Sequence, residues 1–492
     1  MICSFAILLS LGHLAVGAAV PYSDLRALLQ NSSVQWSPQT ELFFPNTSGF
    51  KDATQRWSSF EEPTYKAAVR PGTELDVQTA VSIATLNNIP FLATGGKHGY
   101  STSFGELDDG LAIDLSNFNT INVNKNASTV TIGGGVRFSD IFDPLYAAGK
   151  ELQTGSCPCV GTVGATLGGG VGRYQGVHGL IIDALLSVRL VTATGKLITV
   201  SADSNPELFW ALRGAGMNFG VVTSATYKVA DLTNGGQVLS ADLIYPGSVN
   251  GSFFEALEKL AADQPKELSV TAASSYDVHT DSTMLVANIV YAGPEDEGRA
   301  AMAPFLDLEP TTQDVYTVAW NELAGKAFFG LASQMCTKGA PHSTYGINVR
   351  DVSAAAYTRA FDAMDALYAT TPAARGSAFS IEVFSNVGPM AVPDDETAYP
   401  WRDSSALILL QSSWTDESAA DAANKNCEEI RADLVASSGY DDHAVYVSYA
   451  HGDETPEQMF GAEKLPRLAA LKQEWDPNNV FGFGNAVPTS YP

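Results

Sequence analysis

Between Gly155 and Leu180 the chain reads GSCPCVGTVGATLGGGVGRYQGVHGL, and no other stretch restricts the available folds so strongly. Glycine loses more backbone freedom on folding than any other residue, so its density here needs a positive reason. That reason is close approach: a bare backbone can come within reach of something that a side chain would hold away. Gly161, Gly164, Gly168, Gly169, Gly170 and Gly172 therefore predict contact with a large flat or phosphorylated ligand. Cys157 stands before Pro158 in a rigid turn rather than in an apolar run. Its C-P-C spacing is not a redox C-x-x-C pair, and without nearby paired histidines a zinc site is not indicated.

A second loop of similar character lies upstream. The stretch YKAAVRP reads as extended, TELDVQTAVSIATLNN carries helical periodicity, and IPFLATGG is a short buried strand ending in glycines. The loop from Thr94 to Ser101, TGGKHGYS, then sets two glycines, Lys97 and His98 directly after that strand, where exposed N–H groups can cradle an anionic group. Its spacing is not that of a Walker loop, and no G-x-G-x-x-G follows a strand, so neither of those nucleotide-binding modes is available.

The remaining pattern predicts an α+β protein. GLAIDLS, TVTIGGG and the hairpin ALLSVRLVTATGKLITV add strands to a first lobe, and ELFWALRGAG is a short helix ending in glycine. From about Leu232 the texture changes to alternating runs such as ELSVTAASSYDV, STMLVANIVYAG, AFSIEVFSNVG and SALILLQSSW, which read as antiparallel strands with one polar face. Helices at EALEKLAAD, AAAYTRAFDAMDALYA and SAADAANKNCEEIRADLVA are expected to back the other face. The last fifty residues carry one more helix, AEKLPRLAALKQEW, and a tail rich in Pro, Asn and Gly. With 492 residues, 45% of them hydrophobic, the chain is long enough for two packed lobes. Its 54 acidic against 28 basic residues give a net charge of −26, which repels phosphate backbones and anionic lipid and excludes nucleic acid as a natural partner.

The first residues, 1–19, are apolar and end in small residues, the pattern of a secretory signal peptide, although the usual basic start is missing. No later run is long and apolar enough to span a membrane. Sequons at Asn31, Asn46, Asn126 and Asn250 agree with a secreted glycoprotein. The cysteines of the mature chain, Cys157, Cys159, Cys336 and Cys427, leave two arrangements open for the last two: a Cys336–Cys427 bridge or two buried thiols.

The order GGKHGYS, then GSCPCVG…GGGVG…HGL, then RGAGMNFGVVT resembles the vanillyl-alcohol oxidase superfamily, and within it the berberine bridge enzyme-like oxidases, whose pattern runs close to GGHS, CPTVG…GGGYG…GL and RGGGGNFGIVT. The closing YVSYAHGDETPEQMFGAEKLPRLAALKQEWDPNNVF is similar to that family's final segment. The resemblance runs from about residue 60 to the end. It implies a two-lobed PCMH-type FAD-binding domain over 61–232, a substrate-binding domain with a helix-backed antiparallel sheet over 235–440, and a segment, 441–492, that returns to the FAD domain. It also implies bicovalent FAD, with His98 on the 8-methyl carbon and Cys157 on ring position 6. Gly95, Gly96, Lys97 and Gly99 would supply backbone donors to the diphosphate, with Thr94 a cofactor-loop residue just before the glycine pair, and Gly161, Gly164, Gly168, Gly169 and Gly172 would line the flavin and ribityl chain. Val222 matches a position whose backbone meets the adenine side, and Asn485 stands where the family often has Gln near the flavin. Val160 holds the position tied to oxygen access, where a small side chain favours an oxidase.

Removing hydride from an alcohol or amine carbon requires a group that takes the proton. The family's Y-x-N-Y becomes Tyr446, Ser448 and Tyr449 here, and Tyr446 is the first candidate base, with Tyr449 second. Glu382 lies on an alternating strand of the second domain and either faces the pocket or is an exposed strand carboxylate. The expected activity is oxidation of an alcohol carbon of a small metabolite or sugar, with O2 reduced to H2O2, by a monomer. The alternatives are an oxidative cyclase or dehydrogenase of secondary metabolism, and a catalytically silent flavin-fold glycoprotein.

Overall fold

The computed structural model describes residues 24–492; the expected leader at 1–19 lies outside them. The first lobe opens with a small mixed sheet of β1 (Glu41–Phe43), β2 (Tyr65–Arg70), β3 (Phe91–Thr94) and β4 (Gly110–Asp114). Between β2 and β3 runs α1 (Glu74–Leu86). Thr73 caps this helix: its hydroxyl accepts from the Asp76 N–H, and the Asp76 carboxylate accepts from the Thr73 N–H. Val77, Ala80, Val81 and Ala84 recur at helical spacing and are all buried. β2 and β3 are both parallel to β4, which lies between them, so the order is β1-β2-β4-β3 and the expected β-α-β unit is a crossover past one strand.

A second, antiparallel sheet joins β5 (Ile121–Asn124), β6 (Thr129–Gly133), β7 (Leu185–Val191), β8 (Leu197–Ser201) and β9 (Val221–Lys228) in the order β5-β6-β9-β7-β8. The hairpin read from A-T-G is the β7–β8 pair. Helices α2 (Phe138–Ala147), α3 (Thr162–Gly168) and α4 (Pro206–Ala215) pack with this sheet. α3 is only seven residues long, as its glycine content dictates.

The second lobe is a seven-stranded antiparallel sheet of β10 (Gln237–Pro246), β11 (Leu268–Asp277), β12 (Ser282–Tyr291), β13 (Thr312–Ala319), β14 (His342–Val349), β15 (Ala378–Phe384) and β16 (Ala406–Ser413). The order is β13-β10-β12-β11-β15-β16-β14. Helices α5 (Asn250–Ala261), α6 (Ala354–Thr370) and α7 (Ala420–Ala436) back one face, as the alternation predicts. Leu243, Tyr245, Val270, Ala272, Leu285 and Ile289 meet Phe254, Phe361, Met364 and Ile430 there in one apolar cluster.

The opposite face is also buried, yet it is polar. Pairing registers place Asp242, Asn288, Thr271, Glu382, Leu407 and Asn348 side by side across six strands. Residues directly opposite in an antiparallel ladder point to the same side, so this is a single row. The chain then leaves α7, and Val445, Val447, Phe460 and the buried side of α8 (Leu465–Trp475) join the core of the first lobe. The polar row is thereby enclosed between the lobes, and Arg173 of the first lobe donates to Asn288 across it.

Two cysteine expectations are corrected. Cys336 pairs with Cys159, not with Cys427, because the connection between β13 and β14 returns to the C-P-C turn. Cys427 is a free thiol on the buried side of α7, within the apolar cluster of the second lobe.

Candidate active site

His98 and Cys157 arrive from separate loops and stand together, with His98 Nε2 3.8 Å from Cys157 Sγ. The joining force is backbone packing. A Cβ on Gly96 would lie 2.4 Å from the Gly161 nitrogen, so the two loops meet at a distance that only glycine permits. Gly95 rests in the same way on the Gly134 carbonyl, and Gly134 on the carbonyl of Val222. These glycines therefore hold strand ends and loops against one another. Gly168, Gly169 and Gly172 do likewise, beneath Ser448, Tyr399 and the Thr154 carbonyl. Gly164 differs, because nothing lies within 4 Å of its missing side chain, and the space beside α3 is open there.

Trp57 fixes the histidine, stacking on the His98 ring at 4.7 Å and on His342 at 4.3 Å. Burial pushes His98 down to about 4, so its ring is neutral and keeps a free lone pair. Burial pushes the Cys157 thiol up, with a smaller contribution from the Glu382 charge. Cys159 Sγ lies 3.3 Å from Cys157 Sγ, but its bond to Cys336 leaves Cys157 as the only free thiol beside His98 among the described residues. The His98, Cys157 and Cys159 cluster is for the same reason not a thiolate metal set. Val160, half-buried, gives its carbonyl to the Phe138 N–H.

The Lys97 side chain turns away from the loop into a buried pair with Asp114 at 3.1 Å, and its residue holds a positive φ of 59°. Its ammonium is thus no part of the cradle, which is left to the backbone. Among the described residues no protein acceptor takes the N–H groups of Gly96, Lys97, His98 and Gly99. Tyr100 Oη, Ser156 Oγ, Thr162 Oγ1 and Arg56 Nη1 are likewise buried without partners. Unfilled donors around an open strip fit a large polar aromatic group such as FAD, and the unpaired amides fit its diphosphate. Asn485, by contrast, is fully engaged: its Oδ1 accepts from Ser101 Oγ at 2.7 Å and its Nδ2 donates to the Val447 carbonyl at 2.9 Å. It ties the closing segment to the His98 loop.

Two of the candidate proton-handling groups meet each other. Tyr449 Oη donates to Glu382 Oε2 at 2.8 Å. Glu382 is 8% exposed, so the exposed-carboxylate reading fails. Burial raises its pKa, while the Tyr449 bond and the nearby Arg173 charge pull it down. Burial and the Glu382 charge hold Tyr449 well above the ordinary phenol range. Tyr446 is engaged elsewhere: its hydroxyl donates to the Ala165 carbonyl at 3.2 Å and accepts from the Gly170 N–H at 3.1 Å. The first-ranked candidate base thus fastens the glycine turn, because Tyr446 precedes a 3₁₀ turn (Val447–Tyr449) that points the two rings to different partners. Arg173, within the glycine-rich stretch, and Thr271, on β11, were not singled out from sequence; the structure sets both beside Asn288 of the polar row.

Thr397–Arg402 is structural, with Arg402 paired to Asp183 at 2.8 Å and both side chains buried. Asn31, Asn46 and Asn126 are exposed, whereas Asn250 is half-buried at the start of α5. No helix among the described residues is long and apolar enough to cross a membrane.

A family model described as an FAD binding domain matches residues 65–201, and one described as berberine and berberine like matches residues 445–488. The FAD-linked oxidoreductase OXR1 of Pyricularia oryzae is 45% identical over 459 residues, covering 92% of this chain and 90% of its own. The FAD-linked oxidoreductase srdI of Neurospora crassa is 43% identical, covering 96% of this chain and 94% of its own. Among solved structures, BBE-like 1 of Physcomitrella patens superposes with a TM-score of 0.83 at 24% identity, covering 96% of this chain and all of that one (100%). The glucooligosaccharide oxidase of Acremonium strictum superposes with a TM-score of 0.82 at 21% identity, again covering 96% and 100%. At these identities the structures bear on the fold alone.

Proposed function

The chain belongs to the berberine bridge enzyme-like, PCMH-type FAD-dependent oxidoreductases, and from that premise we propose that it is an oxidase acting on an alcohol carbon of a small metabolite, with O2 reduced to H2O2. The observation that carries this reading is the Tyr449–Glu382 hydrogen bond, whose carboxylate lies near enough for its charge to act on the Cys157 thiol beside His98. FAD, when bound, supplies the two-electron acceptor. His98, with its neutral ring, and Cys157, the free thiol beside it, would hold the flavin covalently, and the unpaired amides of Gly96–Gly99 would hold the diphosphate.

A phenol whose pKa is raised does not ionise alone near neutrality, so Tyr449 acts together with its acceptor. As the substrate hydroxyl gives its proton to Tyr449 Oη, the Tyr449 proton passes to Glu382 Oε2, and no phenolate need persist. The family's Asn is Ser448 here, packed over Gly168, so the relay is supported by Glu382 from the sheet rather than from its own turn. Val160 as a small residue by the cofactor loop supports oxygen as the acceptor. The reading places the protein on the secretory route as a glycoprotein, which the exposed sequons and the Cys159–Cys336 disulfide favour, and takes it to act as a monomer. It divides the chain at 61–232, 235–440 and 441–492.

The test is acid precipitation of the purified yellow protein with peptide mass mapping, then an anaerobic substrate panel and a peroxide assay. Flavin on peptides containing His98 and Cys157, bleached by an alcohol and yielding peroxide in air, is the expected result. Bleaching by an aromatic metabolite that emerges with a new ring favours oxidative cyclisation, and flavin that nothing bleaches overturns the enzymatic reading.

A further inference from the structure

Three arginines among the described residues are buried, and they are satisfied unequally. Arg402 has Asp183. Arg56 donates to the Gly99 carbonyl and lies over the Phe104 ring. Arg173, 7% exposed, donates from Nη2 to the neutral amide of Asn288 at 2.9 Å, and its Nε has no partner. A guanidinium is charged at every working pH, and burying it without a matched acceptor is costly.

Asp242 and Glu382 act on Arg173 by charge, but neither is hydrogen-bonded to it, and both take other donors. Asp242 accepts from Asn288 Nδ2 at 2.7 Å, from the Phe328 and Phe329 amides at 2.8 Å each, and from Tyr316 Oη at 3.1 Å. Glu382 Oε2 accepts from Tyr449. No salt bridge to Arg173 exists among the described residues. Next to Asn288 in the row stands Thr271, whose Oγ1 is also buried and unpartnered, and on its other side stands Glu382. Cross-strand neighbours of this kind have Cβ atoms roughly 5 Å apart. Thr271 thus lies one strand from the carboxylate of the relay and Arg173 reaches the row at Asn288, one strand beyond, while the Phe328 ring, 6.0 Å from the guanidinium carbon, adds an aromatic wall.

We propose that Arg173 and Thr271 form a subsite for an anionic oxygen, so that the substrates of this enzyme are acids bearing a carboxylate or an ionised phenol near the carbon that is oxidised. This rests on the oxidoreductase reading and names its substrate class. The substrate oxygen supplies the acceptor that Arg173 lacks, and the fork geometry of Nε with an Nη favours a carboxylate over a neutral amide. Asn288, fixed by Ser240 and Asp242, holds the guanidinium in place.

The experiment titrates the purified holoenzyme with benzoate and with its neutral isostere benzamide, read as a perturbation of the flavin spectrum. Benzoate is expected to bind about tenfold or more tightly than benzamide, a difference of about 1.4 kcal/mol. Arg173→Gln should abolish that preference, Arg173→Lys should recover part of it, and Thr271→Val should reduce it. Should R173Q fail to fold, T271V, which removes only a hydroxyl, carries the same comparison. Equal binding of the two probes by the wild type, or an undiminished preference in the variants, overturns the subsite. Flavin content is measured first: yellow protein without a benzoate preference defeats Arg173 alone, whereas colourless protein defeats the oxidoreductase reading beneath it.

Discussion

Replacing Glu382 by Gln removes the relay's acceptor while leaving its shape, and Tyr449→Phe removes the hydroxyl that donates to it at 2.8 Å. A positioned acid–base group is worth about 10² to 10⁴ in rate, or about 2.7–5.4 kcal/mol at about 1.36 kcal/mol per decade. Because the proton must cross both groups, the losses should not multiply, and the double variant should be no slower than the slower single one. Two independent contributions would instead give about 10⁴ to 10⁸. Glu382 accepts only when ionised, so the rate falls as pH drops through its pKa, which burial sets above the ordinary 4.5. In E382Q that acid limb disappears. Stability moves the other way. A carboxyl whose folded pKa is raised costs stability once pH exceeds the unfolded value, so the neutral amide should raise the thermal midpoint at pH 7. The assays are anaerobic stopped-flow bleaching of the flavin across pH and thermal unfolding of the same samples. Full activity in E382Q, a surviving acid limb, or multiplicative losses would refute the relay.

Gly96→Ala drives a methyl to 2.4 Å from the Gly161 nitrogen, so the His98 and Cys157 loops must separate. The expected result is a folded protein with sharply lowered flavin content, measured as the ratio of flavin to protein absorbance. Cys336→Ser opens a disulfide spanning 177 residues, for which the chain-entropy view gives up to ~5 kcal/mol. Calorimetry should find a lower unfolding temperature, and peptide mapping a new free thiol at Cys159. With a net charge of −26 the surface repels an acidic ligand at long range, and salt shortens that range to about 8 Å at physiological strength. Benzoate association should therefore quicken with added salt, and slowing would contradict the assignment of attraction to a buried site alone.

Local signals were readable where one residue carries its own physical reason. The GGKHG loop after a buried strand and the glycines around Cys157 announced two backbones in close approach, and the alternating runs announced a one-sided sheet. The partner of each approach was not readable. Gly96 faces Gly161, and Gly168, Gly169 and Gly172 face Ser448, Tyr399 and the Thr154 carbonyl, so these glycines let loops touch each other on the side where a Cβ would stand. The Cys159–Cys336 bond depends on a connection that leaves one lobe and returns to the other, which no spacing reveals. The choice between Tyr446 and Tyr449 turns on one 3₁₀ turn, because residues three apart in such a turn can be sent to different neighbours. Arg173 and Thr271 acquire a role only through register, which sets Asn288, Thr271 and Glu382 in line.

The polar row raises a question of stability that its surroundings answer. A buried sheet face lined by Ser240, Asp242, Ser269, Asn288 and Glu382 contributes little hydrophobic association, and several of its groups await partners. The lobes must therefore be joined chiefly at the ends and rim of the row, with Arg173–Asn288 and Tyr449–Glu382 the contacts across its middle. They are: Tyr446 donates its N–H to Asn348 Oδ1, Trp401 donates to the Val445 carbonyl, Arg402 pairs with Asp183, and the Cys159–Cys336 bond closes the far side. Each of these ties lies in the closing segment, at the sheet's rim or beside the C-P-C turn. That division lets the middle of the face hold unsatisfied donors without loosening the fold, and it explains why a polar hydrogen bond such as Tyr449–Glu382 can sit where a purely apolar interface would have placed leucines.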